Sequence, residues 1–263
     1  MKLNPYKALL SAGLVAITIM VIWTVMYYRI GFISNPANRS TIGDITPPLG
    51  YTRVQCDKAS FAAYLRTLPL KKRGSRVYLY GCKQLAHFQG FNYAVVDLPL
   101  LSNAEQCADV CMRLRAEYLF NTRQYSQISF TALDGTVKRY SGGSSRKAFE
   151  KYMRDVFGSC NTTSMFHSMP SRSFSDLQIG DVFVYKKRKN GSYGHAVIVV
   201  DVAVNKDGKK AFLVVEGNTP ARDMHLMRNT PNPFSSPWFF LDETSKRQHI
   251  SPFVFKHNEL KCW

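Results

Sequence analysis

Acidic side chains are scarce in this chain: 18 Asp and Glu stand against 35 Lys and Arg in 263 residues, a formal charge of +17. Lys2 and Lys7 contribute only 2 of that charge, so +15 lies beyond residue 28. An excess of this size bears on partners and solubility rather than on fold, and it suits anionic polymers, lipid headgroups or nucleic acid. The sequence has no P-loop, no GxGxxG string and no EF-hand loop, which removes the phosphate, dinucleotide and calcium readings. It also has no HExxH and no CxxC pair, and His167, His195 and His225 lack metal-ligand spacing, so neither a metal nor a cofactor is expected. The basic runs are not interleaved with aromatics on one surface, so nucleic acid is not the expected partner. With 45% hydrophobic residues, 16 Gly, 12 Pro and no internal repeat, the composition excludes collagen, coiled coil, solenoid and a wholly disordered polymer.

Long apolar runs are also absent, with one exception. Residues 8–28 carry no charge, and as a helix these 21 residues would span about 30 Å, the hydrocarbon thickness of a bilayer. The run is long for a signal-peptide core and ends in Met26, Tyr27, Tyr28 and Arg29 without a small-x-small cleavage site. The expectation is therefore an uncleaved single-pass transmembrane anchor at residues 1–28 with a cytoplasmic tail. Lys2 and Lys7 favour a cytoplasmic N-terminus, which places the rest of the chain outside the cytoplasm at the cell membrane. Residues 29–50, rich in Pro, Gly, Ser and Asn, read as a linker, and residues 51–263 as one globular domain. Cys56, Cys82, Cys107, Cys111, Cys160 and Cys262 make an even count that an oxidising compartment would allow to pair, although spacing assigns no pairs. Cys107 and Cys111, four apart on a helix, do not meet in disulfide geometry, so at least one of them stays a free thiol.

Within the domain, residues 57–68 predict a short helix closed by Pro69, and residues 76–80 and 93–97 predict strands. Ser102 and Glu105 have the capping-box spacing and predict a helix that starts at Ser102 and runs to Phe120. On it, Arg113, Arg115 and Glu117 read as a salt-bridged surface or a domain-packing face. Residues 127–132 and 136–140 flank Asp134-Gly135 as a hairpin, and residues 144–157 follow as an amphipathic helix. Residues 181–185, 195–201 and 211–216 read as an antiparallel meander whose middle strand is apolar on both faces and hence buried. A four-residue turn at 205–208 sets Val204 opposite Lys209, and with it His195 opposite Asn218 and diagonal to Glu216 on one face.

Three residues then stand out chemically. Cys107 lies near a helix start, where unpaired N–H groups favour a thiolate. His195 begins the buried strand, where an imidazole can take the thiol proton and return it to a leaving group. On the neighbouring strand, Glu216 or Asn218 can fix the imidazole tautomer. The order and spacing suit an α+β fold with a papain-like core, a Cys-bearing helix packed across an antiparallel sheet. Cys107 can also be a small core hydrophobe, as Cys111 is read to be, and His195 a satisfied polar cap at a strand start. Asp223 and His225 lie just beyond the last strand, where they can line a substrate cleft or simply turn the chain.

Gly180-Asp181-Val-Phe-Val followed by Gly194-His195-Ala-Val-Ile-Val resembles the GD and GH strands of the NlpC/P60 and CHAP peptidoglycan amidases and endopeptidases, in which that His is the general base. Over most of residues 48–260 the chain more closely resembles an uncharacterised bacterial domain-of-unknown-function family. Gln106-Cys107-Ala-Asp109, Gly194-His195 through Asp201, Asp223-Met-His225 and Ser236-Pro-Trp238 carry that likeness. The family's pattern implies Gln where this chain has Glu216. The amidase likeness implies a cysteine amidase or peptidase acting on cell-envelope amide bonds, with Cys107 as nucleophile, His195 as base and Glu216 as orienter. Asn218, Asp223 and His225 are the candidates for substrate contact. Two rivals stand beside it: a catalytically inactive envelope-binding domain, and an acyltransferase with the same dyad. The expected partners are a cell-envelope polymer or peptide, and the membrane through the N-terminal helix.

Overall fold

Residues 182–216 alternate bulky apolar side chains to both sides, and both sides are covered. Val182, Val184, Ala196, Ile198, Leu213 and Val215 belong to one core cluster, whereas Phe183, Val197, Val199, Phe212 and Val214 belong to another on the opposite face. The computed structural model describes residues 13–23, 39–188 and 190–263. Its elements run from a helix at residues 13–23 (α1) through β1 (Tyr51–Arg53), α2 (Phe61–Arg66), β2 (Asn92–Val95), α3 (Cys107–Asn121), β3 (Ser129–Thr131), β4 (Val137–Arg139), α4 (Arg146–Ser159) and α5 (Thr162–Ser168). They continue with β5 (Val182–Tyr185), β6 (His195–Asn205), β7 (Lys210–Glu216), β8 (His225–Met227), β9 (Phe239–Phe240), β10 (Arg247–Ile250), β11 (Phe253–Lys256) and β12 (Leu260–Lys261). The architecture is α+β. An antiparallel sheet in the order β12-β5-β6-β7-β8-β2 forms its centre, with β1 added on β6 and β9 on β7. α3 packs across β6 and β7, and the β10-β11 hairpin supplies Phe255 to the other face.

The meander has the predicted strands but a shifted turn. Val204 pairs with Lys210 rather than Lys209, because Asn205 N–H already donates to the Lys209 carbonyl at 3.0 Å. A β-bulge between Val199 and Asp201 removes the offset, so that Val199 faces Val214 and Ile198 faces Val215, the register predicted for the His195 end. The bulge also turns Asp201 into the interior, where its carboxylate meets Arg53 Nε at 2.5 Å and Arg66 Nε at 2.7 Å.

Three expectations need correction. The transmembrane helix expected over residues 8–28 is not supported, since among the described residues no helix is long and apolar enough to cross a membrane. The described part of that run, α1, is helical over residues 13–23. Residues 1–12 and 24–38, which hold the rest of the run and the first part of the expected linker, lie outside the described residues. The second part of that linker is packed: Ile42 and Ile45 are fully buried, and Trp238 Nε1–H donates to the Thr46 carbonyl at 2.8 Å. Lastly, the strand expected at residues 76–80 is reduced to isolated bridges of Tyr78 with Leu85 and of Leu79 with Arg222.

Candidate functional site

Helix α3 starts later than its capping-box sequence predicts. Ser102 closes only a turn, its carbonyl accepting Glu105 N–H at 3.2 Å, while the Glu105 carboxylate folds back onto Leu101 N–H at 2.7 Å. The N-cap is Gln106, whose N–H donates to Asp109 Oδ2 at 2.9 Å, and Cys107 is the first helical residue. The reason lies in Glu105: it is fully buried and pinned by Arg113 Nη1 at 2.9 Å, so it serves the interior rather than a helix cap. Arg113 also meets Glu117, which Arg146 of α4 holds at 2.6 Å, so of the three residues read as a salt-bridged surface or a packing face Arg113 and Glu117 form an ionic packing link between helices, while the Arg115 guanidinium lies over the Phe61 and Tyr118 rings. Cys107 consequently stands where the helix N–H groups lack intrahelical acceptors and the positive end of the dipole is strongest.

Two glycines let the starts of α3 and α5 reach the strand ends. A Cβ on Gly217 would lie 2.6 Å from Val110 Cγ2 and 3.1 Å from the Gln106 carbonyl, so only glycine lets the end of β7 pass against the start of α3. A Cβ on Gly194 would lie 2.1 Å from Thr162 Oγ1 and 2.7 Å from the Tyr185 carbonyl, so the residue before His195 is glycine because α5 abuts it there. The Gly-His string is therefore partly a packing requirement.

His195 Nε2 lies 2.7 Å from Glu216 Oε2, with both residues buried. A carboxylate only accepts, so Nε2 carries the proton and Nδ1 is the ring nitrogen not engaged by Glu216, with the Cys107 sulfur near enough to act on the ring. Burial disfavours a charged imidazole, but the Cys107 sulfur and then Glu216 outweigh it, and the His195 pKa is raised to about 9. The ring lies flat on Phe253, with centroids 3.7 Å apart and planes at 22°. Glu216 Oε1 faces His225 Nε2 at 2.9 Å, and His225 Nδ1 faces the Asp223 carbonyl at 3.0 Å. Burial alone would raise the Glu216 pKa, yet its hydrogen bonds to the two imidazoles lower it to about 2. The residues thus line up as Cys107, His195, Glu216 and His225.

The other expected substrate contacts are placed differently. Asn218 Oδ1 accepts its neighbour Thr219 N–H at 2.7 Å, and Glu216 alone takes the orienting position. Asp223 turns away to Lys71 Nζ at 3.1 Å and Tyr78 N–H at 3.0 Å, on a separate cavity of about 730 Å³. His225 stands behind Glu216 rather than in a cleft. What lines the groove of about 410 Å³ in front of Cys107 is Gln106, Asp109, Asn161, Thr162, Lys187 and Tyr193, among others. None of these was legible as a site residue, because α4, α5 and the 186–194 loop converge here only in three dimensions. Phe253, more than thirty residues past Glu216, left no sequence signal either.

All six cysteines are free thiols. Cys111 is fully buried with its Sγ on the Cys107 carbonyl at 3.4 Å, and burial pushes its thiol well above the ordinary range. Among the described residues, no group of three or more His, Cys, Asp or Glu side chains is arranged to hold a metal ion.

The fold and site define an α+β protein whose helix-borne cysteine faces a histidine oriented by a buried carboxylate. The chain belongs to the family described as a domain of unknown function (4846), which matches residues 43–142 and 135–262. No curated protein and no solved structure matches it.

Proposed function

We propose that the protein is a cysteine amidase or peptidase. Cys107 Sγ gives its proton to His195 Nδ1 and attacks an amide carbonyl carbon, and the α3 N-terminal N–H groups face the oxyanion that forms. His195 passes that Nδ1 proton to the departing amine nitrogen as the C–N bond breaks, leaving a thioester. It then takes a proton from water, whose oxygen attacks the thioester carbon, and passes it to Sγ as the C–S bond breaks, releasing the acid and the thiol. Glu216 keeps the Nε2 proton in place throughout, and His225 holds the far carboxylate oxygen. The substrate proposed is a peptide amide of the cell envelope, consistent with the +17 charge and an anionic polymer.

The single observation that carries this reading is the Cys107–His195–Glu216 alignment, with Cys107 in the wall of an open groove and His195 and Glu216 buried behind it. It favours an enzyme over a silent envelope-binding module, which has no use for a buried carboxylate fixing an imidazole beside a thiol. The likeness to the NlpC/P60 and CHAP amidases adds only the short Gly-Asp and Gly-His strings. The test is incubation of the protein and its Cys107→Ser form with purified muropeptides, with iodoacetamide labelling mapped over the six cysteines. The expected result is new free amine from the parent alone and labelling of Cys107 ahead of the exposed Cys82. Equal amine release from Cys107→Ser, or a Cys107 slower than Cys82, refutes the proposal.

A further inference from the structure

Two residues after Cys107, Asp109 presents an unusual carboxyl group. It is 5% exposed and lines the groove, yet only one of its oxygens is satisfied: Oδ2 accepts the Gln106 N–H at 2.9 Å, and Oδ1 is buried without a partner. A buried polar atom left this way is costly in a resting protein, and a ligand that supplies the missing partner recovers that cost. Groups of both signs stand nearby. Glu105 precedes it, ion-paired with Arg113, Cys107 and Cys111 share its helix, Cys160 closes α4 beside it, and Lys187 and Tyr193 line the same groove.

We propose that Asp109 is a substrate-binding residue of the Cys107 groove, whose Oδ1 donates a hydrogen bond to a carbonyl oxygen of the acyl half of an uncharged amide. The inference rests on the groove being the reaction site. Oδ2 is committed as an acceptor, so a proton on the carboxyl sits on Oδ1 and makes it a donor. The proton is retained at neutral pH because burial, aided by the charge of Glu105, raises the carboxyl to about 8 against the backbone hydrogen bond from Gln106. Such a donor recognises a carbonyl and offers no charge to a free N-terminal ammonium. The substrate class that follows is an internal or N-acylated peptide amide.

The experiment is protection of Cys107 from iodoacetamide, read by mass spectrometry on the full chain, with N-acetylglycinamide and its cationic counterpart glycinamide as probes. At pH 6.5 the acetylated probe is expected to protect at a several-fold lower concentration than glycinamide. Asp109→Asn, whose amide NH₂ replaces the donor and whose oxygen keeps the Gln106 contact, retains that protection, and Asp109→Leu loses it at least about 5-fold, a loss of roughly 1 kcal/mol. Raising the pH through 8 weakens protection of the parent but not of Asp109→Asn. The inference is overturned if glycinamide protects better, if Asp109→Asn and Asp109→Leu lose protection alike, or if neither probe protects. If Cys107 in the parent does not react at any pH, the nucleophile reading falls first and this inference falls with it.

Discussion

Replacing Glu216 by Gln separates the charge of the orienting residue from its geometry. One amide oxygen can still accept His195 Nε2–H, now held at 2.7 Å. The NH₂ end then faces His225 Nε2, which can accept if His225 keeps its proton on Nδ1, where the Asp223 carbonyl already waits at 3.0 Å. The contacts of the row can therefore persist, with His225 Nε2 turned from donor to acceptor and the negative charge of residue 216 lost. Two unit charges about 4 Å apart interact by roughly 4 kcal/mol at an effective dielectric of about 20, and one pKa step is about 1.4 kcal/mol. Since the Cys107 sulfur acts more strongly on the imidazole than Glu216 does, the fall expected for His195 is about 1–2 pKa steps from its value near 9.

The assay is the rate of Cys107 carboxamidomethylation between pH 5 and 11, in which loss of the His195 proton appears as an alkaline limb. That limb is expected to move from near 9 to between about 7 and 8 in Glu216→Gln, with the rate on the acid side unchanged within about 3-fold. Stability should follow the same group. His195 is held above its ordinary 6.5, so its contribution is complete below pH 6.5 and is lost as pH rises toward 9. Glu216 is held below its ordinary 4.5, so its contribution is complete above pH 4.5 and is lost as pH falls toward 2. Urea midpoints of the variant should therefore lack the parent's acid-side loss between pH 4.5 and 2. An alkaline limb that stays within about 0.3 pH of the parent's, in a variant that folds, would falsify the coupling between carboxylate and imidazole.

Two further substitutions probe how the site is held. Gly217→Ala puts a methyl 2.6 Å from Val110 Cγ2, so it should cost about 1–3 kcal/mol in urea unfolding and slow Cys107 labelling as the helix start is pushed off β7; an unchanged midpoint would show that the close approach is not tight. Asp201→Ala leaves Arg53 and Arg66 facing a vacated interior and should cost about 2–4 kcal/mol, reduced from the fully buried case because both guanidiniums reach water, with little effect on the Cys107 pH profile.

What could be read from the sequence follows from the range of the forces involved. The meander, the 127–140 hairpin and the helix at 146–159 were legible because alternation, an Asp-Gly turn and a 3.6-residue stripe are local signals. The pairing of His195 with Glu216 was legible for the same reason, since both residues and their strand register are written within one hairpin, whereas Cys107, far upstream on α3, stood out only by its residue type near a helix start. The start of α3 was not, since the Ser102 to Glu105 spacing is a proper capping box and only the burial of Glu105 against Arg113, a tertiary fact, cancels it. An apolar run reads the same whether it would cross a bilayer or not, and among the described residues no helix is long and apolar enough to do so. The groove walls come from four separate segments and have no joint sequence signature.

The strings that made the family recognisable are, on inspection of their contacts, largely about distance. Gly194 and Gly217 sit beside His195 and Glu216 because α5 and α3 must come within van der Waals reach of the strand ends. Asp181 of the Gly-Asp string takes no part in the chemistry: it accepts Gln178 N–H at 2.8 Å and meets Arg172 at 3.0 Å, fastening the entry to β5. Even the extra residue at Val200 acts at long range, because without the bulge the shifted 205–208 turn would carry through β6 and set its His195 end one residue out of step with Glu216. A misplaced register would separate imidazole from carboxylate with every one of these side chains still present. Substitutions in these spacing residues should therefore slow Cys107 labelling, at positions that a search for chemistry alone would pass over.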